Sequence, residues 1–86
     1  MKVVLPTALA EYTGHRRDVE AHGATLGALL EDLDRRYAGL RFRVVDEQDA
    51  VRPHIKIFVN RVQEASLARA LAPGDEVLVV AALSGG

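Results

Sequence analysis

The chain is 86 residues long, is 49% apolar, and carries 11 basic and 12 acidic residues for a net charge of −1. A chain of this size and apolar content forms one small domain with a packed core, which argues against intrinsic disorder. The balanced charge argues against a nucleic-acid partner, no apolar run approaches a membrane span, and the absence of cysteine excludes disulfides and cysteine nucleophiles.

Residues 2–5 and 17–21 are the first two predicted strands. The first run is rich in β-branched residues, and the second alternates charged and apolar side chains as a half-exposed strand does. Gly14 marks a turn between them. We therefore expect a hairpin with a long loop.

A helix is predicted to begin at Thr25, a good N-cap, and to end at Gly39. The charged residues of this segment are expected on a solvated face, with Asp32 and Arg36 at i,i+4 spacing. The apolar residues fall on one stripe, which predicts that the helix covers the core. The stripe consists of Leu26, Leu29, Leu30, Leu33 and Tyr37.

The second half of the chain predicts two or three further strands. Residues 54–60 alternate cleanly, and residues 76–83 are apolar almost throughout. Asn60 and Arg61 are expected to form a turn. The other expected elements are a strand at 41–45, an exposed loop at 46–53, a helical turn at 67–71 and a type II turn at 73–75.

This order of elements predicts a two-layer α+β fold, in which a mixed sheet of four to five strands packs on one main helix. We expect the first and last strands to lie side by side under the helix. That arrangement is the ubiquitin-like β-grasp. Residues 1–82 would form the domain and residues 83–86 a flexible tail, with Leu83, Ser84 and Gly85 leading to Gly86.

The face of the sheet away from the helix is predicted to expose apolar side chains. One helix covers only one face, so one alternate set of the last strand must lie on the other face, either Val77, Val79 and Ala81 or Leu78, Val80 and Ala82. Phe58 should join that set if Ile55, Ile57 and Val59 point towards the helix. We expect Phe58, Leu78 and Val80 to form a partner interface, because exposed apolar patches usually mark interaction surfaces. The alternative is that residues 41–52 fold over this face.

The terminal Gly85 and Gly86 point to chemistry at the chain end. Two glycines can pass through a narrow channel and place the terminal carboxylate in another protein's active site. The sequence lacks a nucleophile elbow, a P-loop and a dinucleotide fingerprint, so activation would require a separate enzyme. The histidines His15, His22 and His54 have no acidic cluster beside them, and we expect no metal site. A frayed, inert end is the alternative.

Taken in order along the chain, several short motifs resemble those of the MoaD/ThiS family of ubiquitin-like sulfur carriers, and most closely the CysO-type branch. The resemblance implies the β-grasp fold and a thiocarboxylate on Gly86. It departs from molybdopterin-synthase small subunits at Leu5, Pro6 and Thr7, where those have an aromatic residue. The motifs are Tyr12-Thr13-Gly14, Thr25-Leu26, Ile57-Phe58-Val59-Asn60, Pro73-Gly74-Asp75-Glu76-Val77 and Gly85-Gly86.

The resemblance also implies partners and cofactors. A MoeB/ThiF-type enzyme would use ATP to activate Gly86, and a pyridoxal-phosphate-dependent cysteine synthase would accept the sulfur, so that the chain itself binds no cofactor and is not an enzyme. Other acceptors are a molybdopterin-synthase large subunit and the thiosugar or thiamine pathways. A different function is a ubiquitin-like modifier that joins Gly86 to lysines. No signal peptide is visible before Pro6, and we expect a cytoplasmic protein.

Overall fold

Residues 1–82, which the computed structural model describes, form five strands, two α-helices and one 3₁₀ helix. Within this range no helix is both long enough and apolar enough to cross a bilayer. The strands are β1 (Lys2–Val4), β2 (Asp18–Glu20), β3 (Ile55–Val59), β4 (Val62–Gln63) and β5 (Glu76–Ala81), the helices are α1 (Leu26–Arg36) and α2 (Leu40–Val44), and the 3₁₀ helix is Thr7–Thr13.

The sheet has the strand order β2-β1-β5-β3-β4. The first and last strands pair in parallel, with Val3 opposite Val77, and the other pairs are antiparallel. The predicted side-by-side placement of these two strands is confirmed, as is the mixed sheet of the β-grasp. β5 lies in the middle of the sheet and pairs with β1 as far as Leu78, whereas its last three residues pair with β3 alone. Pairing with β3 therefore fixes the direction in which the chain leaves β5.

Helix α1 begins where the sequence predicts. The Thr25 side chain accepts a hydrogen bond from the Ala28 backbone N–H at 3.1 Å, as an N-cap does. The predicted end was wrong: Tyr37 caps the helix, and Gly39 (φ 92°) instead starts α2 in the left-handed conformation that glycine tolerates best. The four leucines of the apolar stripe are all buried, and Tyr37 packs against the core at its edge. The core comprises Val3, Leu5, Leu9, Val19, Ala21, Leu26, Leu29, Leu30, Leu33, Leu40, Val44, Val45, Ile55, Ile57, Val59, Val77 and Val79.

The predicted strand at 41–45 was wrong. Residues Leu40–Val44 form α2, and Leu40 and Val44 are buried at the i,i+4 spacing of a helix. This segment is short and alternates charged with apolar residues, so its pattern fits a strand as well as a helix, and packing against α1 decides the outcome. Residues 46–53 form the expected loop, with one isolated bridge between Val45 and Val51.

The solvated face predicted for α1 was wrong at Asp32. Asp32 is only 8% exposed, although its expected pairing with Arg36 is present. Its carboxylate accepts hydrogen bonds at 2.9 Å from the His22 backbone N–H, Arg35 and Arg36. These donors, the His22 N–H first and Arg35 next, lower the pKa of Asp32 to about 2. The carboxylate therefore fastens α1 to the segment that follows β2.

The remaining turns differ in detail from the predictions. The turn at 73–75 is present, with the Asp75 N–H bonded to the Ala72 carbonyl at 2.9 Å, but Gly74 lacks the positive φ that type II requires. The turn predicted at 67–71 is present only at its start, where the Arg69 N–H donates to the Ser66 carbonyl at 3.2 Å. It does not continue as a helix, because Ala70 makes an isolated bridge to Thr25. The expected turn at Asn60 and Arg61 is confirmed, and it joins β3 to β4, a strand that the sequence prediction missed.

Candidate functional site

The two faces of the sheet differ sharply in what they contact. Along β3, Ile55, Ile57 and Val59 are buried against the helix, whereas Phe58 points the other way and is partly exposed. The same alternation continues along β5, where Val77 and Val79 are buried, whereas Leu78 and Val80 are at least partly exposed. The predicted orientation of Phe58 and of the alternate set Leu78 and Val80 is therefore present.

Strand register brings these apolar residues together. Leu78 pairs with Val4 on one side and with Phe58 on the other, so the three residues form a row across the middle of the sheet. Val80, 36% exposed, is the next outward residue of β5 and lies opposite Lys56. We call Val4, Phe58, Leu78 and Val80 the apolar patch.

The segment that could have covered the apolar patch lies elsewhere. Leu40, Val44 and Val45 belong to the same core as the inward residues of the sheet, and α2 packs against α1 and the 3₁₀ helix. This segment is therefore on the helix side of the sheet. Phe58 and Leu78 remain partly exposed, as a surface available to a partner would be.

The predicted reactive end starts beside β3. The Ala82 N–H donates to the His54 carbonyl at 2.7 Å, immediately after β5 ends at Ala81. The residues predicted to form the tail, Leu83, Ser84, Gly85 and Gly86, lie outside the described residues. The structure thus fixes the point from which the tail starts.

Charged side chains lie at the opposite end of the patch face. Lys2 is placed between Asp18, at 4.0 Å, and Glu76, at 3.9 Å. Glu20 accepts a hydrogen bond from the N-terminal ammonium group of Met1, which lowers the pKa of that carboxyl. The acidic groups at this end of the face, where β5 begins, are thus paired with Lys2 and the N-terminal ammonium group. The tail starts from the other end.

No group of histidine or acidic side chains within residues 1–82 is arranged to hold a metal ion. The three histidines are separate, and two of them contribute backbone groups rather than ring nitrogens to the hydrogen bonds already described: His22 to Asp32 and His54 to Ala82.

A cluster of arginine and aromatic residues beside the start of the tail was missed by the sequence prediction. Arg43 lies over the Tyr12 ring, 5.7 Å from its centre, and its Nε donates to the Tyr12 hydroxyl. Arg52 lies 4.8 Å from the centre of the Phe42 ring and donates to the Phe42 carbonyl at 2.7 Å. Tyr12 and Arg43 are 31 residues apart, so no local pattern signals their contact.

Comparisons with known proteins agree on one family. The ThiS family profile matches residues 3–86. The sulfur carrier protein CysO of Mycobacterium tuberculosis is 37% identical over an alignment of 89 positions, gaps included, that covers 98% of this chain and 96% of CysO. A chain of the BexX/CysO complex from Amycolatopsis orientalis superimposes with a TM-score of 0.90 at 32% identity and covers 99% of this chain and 98% of that one. SAMP1 of Haloferax volcanii gives a TM-score of 0.79 at 34% identity, with 100% and 98% covered.

Proposed function

The chain belongs to the ThiS family, and we propose that it is a sulfur carrier protein that delivers sulfide for the synthesis of cysteine. It is a carrier that acts with separate enzymes rather than a catalyst. The observation that carries the proposal is the similarity to CysO over 98% of the chain, together with a family match that runs through the terminal Gly86.

The chemistry takes place at the carboxylate of Gly86. A carboxylate is a poor electrophile at neutral pH, so it must first be activated. A carboxylate oxygen attacks the α-phosphate of ATP, pyrophosphate leaves, and an acyl-adenylate forms. Sulfide supplied by a donor then attacks the acyl carbon and expels AMP, which leaves a C-terminal thiocarboxylate. A MoeB/ThiF-type enzyme would perform this activation.

The thiocarboxylate holds sulfide in a non-volatile form attached to the protein. It is ionised near pH 7, and its soft sulfur is a good nucleophile towards an activated serine. We propose that the acceptor enzyme is a cysteine synthase that uses its own pyridoxal phosphate. The thiocarboxylate sulfur would bond to the β-carbon of the activated serine, whose activating group leaves, so that cysteine is first joined to Gly86 through an acyl bond. Hydrolysis of that bond would release cysteine and restore the Gly86 carboxylate. Because ATP and reduced sulfur compounds are available in the cytoplasm, we place the reaction there.

The apolar patch supports docking to these enzymes. Phe58 and Leu78 are paired residues in the centre of the sheet, and Leu78 lies on the strand that leads into the tail. A partner that covers the patch would therefore receive the tail from a rigid strand, which reduces the entropy lost when the chain end enters an active site. We propose that the patch binds the activating enzyme and the acceptor in turn.

The first test is the intact mass after incubation with ATP, sulfide and a MoeB/ThiF-type enzyme. We expect a gain equal to the replacement of one oxygen by one sulfur, and no gain for a chain that lacks Gly86. The thiocarboxylated chain is then mixed with a cysteine synthase and an activated serine. The mass of a carrier with cysteine attached through Gly86 is measured, followed by the cysteine that hydrolysis of that bond releases. No mass gain with an activating enzyme that modifies its own carrier would contradict the proposal. Failure only at the acceptor would favour the molybdopterin, thiosugar or thiamine acceptors.

A second candidate function is a ubiquitin-like protein modifier. The observation that favours it is the likeness to SAMP1, which is named a small archaeal modifier protein. Activation as an adenylate is common to both functions, and the difference lies in the nucleophile, a lysine amine instead of sulfide. Conjugates of higher mass that appear in lysate with ATP, and that yield peptides with Gly86 joined to lysine, would establish the modifier. Their absence, with thiocarboxylate present, would leave the carrier.

A further inference from the structure

We propose that the arginine and aromatic cluster beside the start of the tail is a second docking surface, which binds a carboxylate-bearing surface next to the channel of the activating enzyme. The cluster consists of Tyr12, Phe42, Arg43, Arg52 and His54, and we call it the tail-base cluster. The inference rests on the proposed function to the extent that both require an activating enzyme. Because activation is common to the carrier and the modifier, it does not depend on which of the two applies.

The first argument is position. His54 accepts the backbone hydrogen bond from Ala82, the last described residue before the tail. His54 also lines a cleft of about 230 Å³ whose wall includes Tyr12 and Arg43. Arg52 is two residues before His54, and its N–H bonds to the Val44 carbonyl at 3.0 Å, which holds it against the end of α2. An enzyme that admits the tail must therefore bring the rim of its channel close to this cluster.

The second argument is charge. Arg43 and Arg52 form no ion pair with a carboxylate of residues 1–82. Arg41, on the same helix α2 as Arg43, is by contrast paired with Asp49. Asp46 is near enough to Arg52 to offset part of its charge, but the two form no ion pair, and the Asp46 carboxylate accepts the N–H groups of Gln48 and Ala50.

Glu11 lines the same cleft as Arg43 and partly offsets its charge. The two guanidinium groups still have no ion pair within residues 1–82, whereas at the other end of the patch face Asp18 and Glu76 pair with Lys2, and Glu20 pairs with the Met1 ammonium group. Arginines without an ion pair at the tail end would orient the chain on a partner with acidic groups beside its channel.

The third argument is preorganisation. Each guanidinium lies over an aromatic ring, and each Nε is held by a hydrogen bond to an oxygen of the residue that supplies that ring. The terminal nitrogens of Arg43 and Arg52 form no hydrogen bond within residues 1–82 and can bind a carboxylate, with little conformational freedom lost on binding. The Phe42 side chain is 51% exposed, so that the cluster combines charge with an aromatic contact, the combination typical of residues that dominate binding.

The test compares charge reversal at two pairs of arginines. One variant carries Arg43→Glu and Arg52→Glu, and the matched control carries Arg16→Glu and Arg61→Glu, which change the net charge equally at sites away from the tail. Binding to the host's own MoeB/ThiF-type enzyme is measured by calorimetry at low and high salt. Thermal unfolding verifies that the variants are folded, and the intact-mass assay runs in parallel.

We expect the first variant to lose on the order of 100-fold in affinity and the control less than about threefold. The loss should shrink at high salt, since exposed charges are screened. A third variant with Arg43→Lys and Arg52→Lys keeps the charge but loses the Nε hydrogen bonds and the paired terminal nitrogens, so its affinity should lie between those of the wild type and the charge-reversal variant. Equal losses in the first variant and the control, or a wild type that does not bind, would overturn the proposal. A wild type that binds with the expected arginine dependence but gains no sulfur would support the docking surface and contradict the sulfur-carrier function instead.

Discussion

Two neighbouring residues on β3 separate folding from partner binding. Ile57 is 1% exposed within the core, and Phe58, the next residue, lies on the opposite face in the apolar patch. Replacing each in turn by aspartate introduces the same charge at adjacent positions. Because successive side chains of a strand point to opposite faces, the two variants should fail in different ways.

The expected magnitudes differ widely. A fully buried isoleucine contributes about 2–3 kcal/mol through burial alone. An unpaired carboxylate in its place costs several kcal/mol more. A domain of this size has a total stability of about 4–13 kcal/mol, so Ile57→Asp should unfold or nearly unfold the protein. Phe58→Asp removes only a partly exposed side chain and should cost about 1 kcal/mol.

Circular dichroism with thermal unfolding, followed by binding to the activating enzyme, measures both effects. We expect Phe58→Asp to remain folded and to lose about 2–4 kcal/mol of binding free energy, or roughly 30- to 1,000-fold in Kd, as a central aromatic contact does. An unfolded Phe58→Asp variant would refute the assignment of Phe58 to the uncovered face. A folded variant with wild-type affinity would refute the patch as the docking surface.

Three further predictions concern stability. The pKa of Asp32 in the folded protein lies near 2, below its ordinary value, so the ionised carboxylate should contribute about 2 kcal/mol to the free energy of unfolding. This contribution should be complete above about pH 4 and lost as the pH falls towards 2. Urea unfolding of Asp32→Asn at several pH values should lack this part of the acid dependence. Gly23→Ala should lose about 2–3 kcal/mol in thermal unfolding, because the new Cβ would lie 2.7 Å from the Ala28 carbonyl carbon, whereas Gly74→Ala, with nothing within 4 Å, should be nearly neutral. Arg61→Gly should raise the melting temperature by removing a left-handed arginine (φ 71°), a gain of roughly 0.5–1 kcal/mol, and a fall would contradict this.

Local sequence patterns predicted much of the fold. Thr25 before a stripe of leucines signals a capped helix, because an N-cap and a 3.6-residue period are properties of the segment itself. The alternation of residues 54–60 likewise predicts which side chains face the core. These local rules also placed Phe58 on the outer face. The reactive role of Gly86 follows from the chain end and the family resemblance, and it stays a prediction that the mass experiment tests.

The errors arose where two structures satisfy the same local pattern. In α2 the five residues alternate charged and apolar side chains, which fits a strand, but Leu40 and Val44 also lie four residues apart on one helical face. Their burial against α1 selects the helix. Asp32 looked like an exposed helical charge because its main partner, the His22 backbone N–H, is ten residues away and not part of the helix.

The sequence by itself thus determined the features that short-range spacing encodes. These are the capped helix α1, the strands β3 and β5, the outward orientation of alternate residues in those strands, and the two terminal glycines. Only the tertiary structure decided which distant groups meet. Strand register places Val4, Leu78 and Phe58 in one row, and packing of α2 against the 3₁₀ helix places Arg43 over Tyr12. Such contacts depend on the summed burial of the whole core, which no local window of the sequence contains.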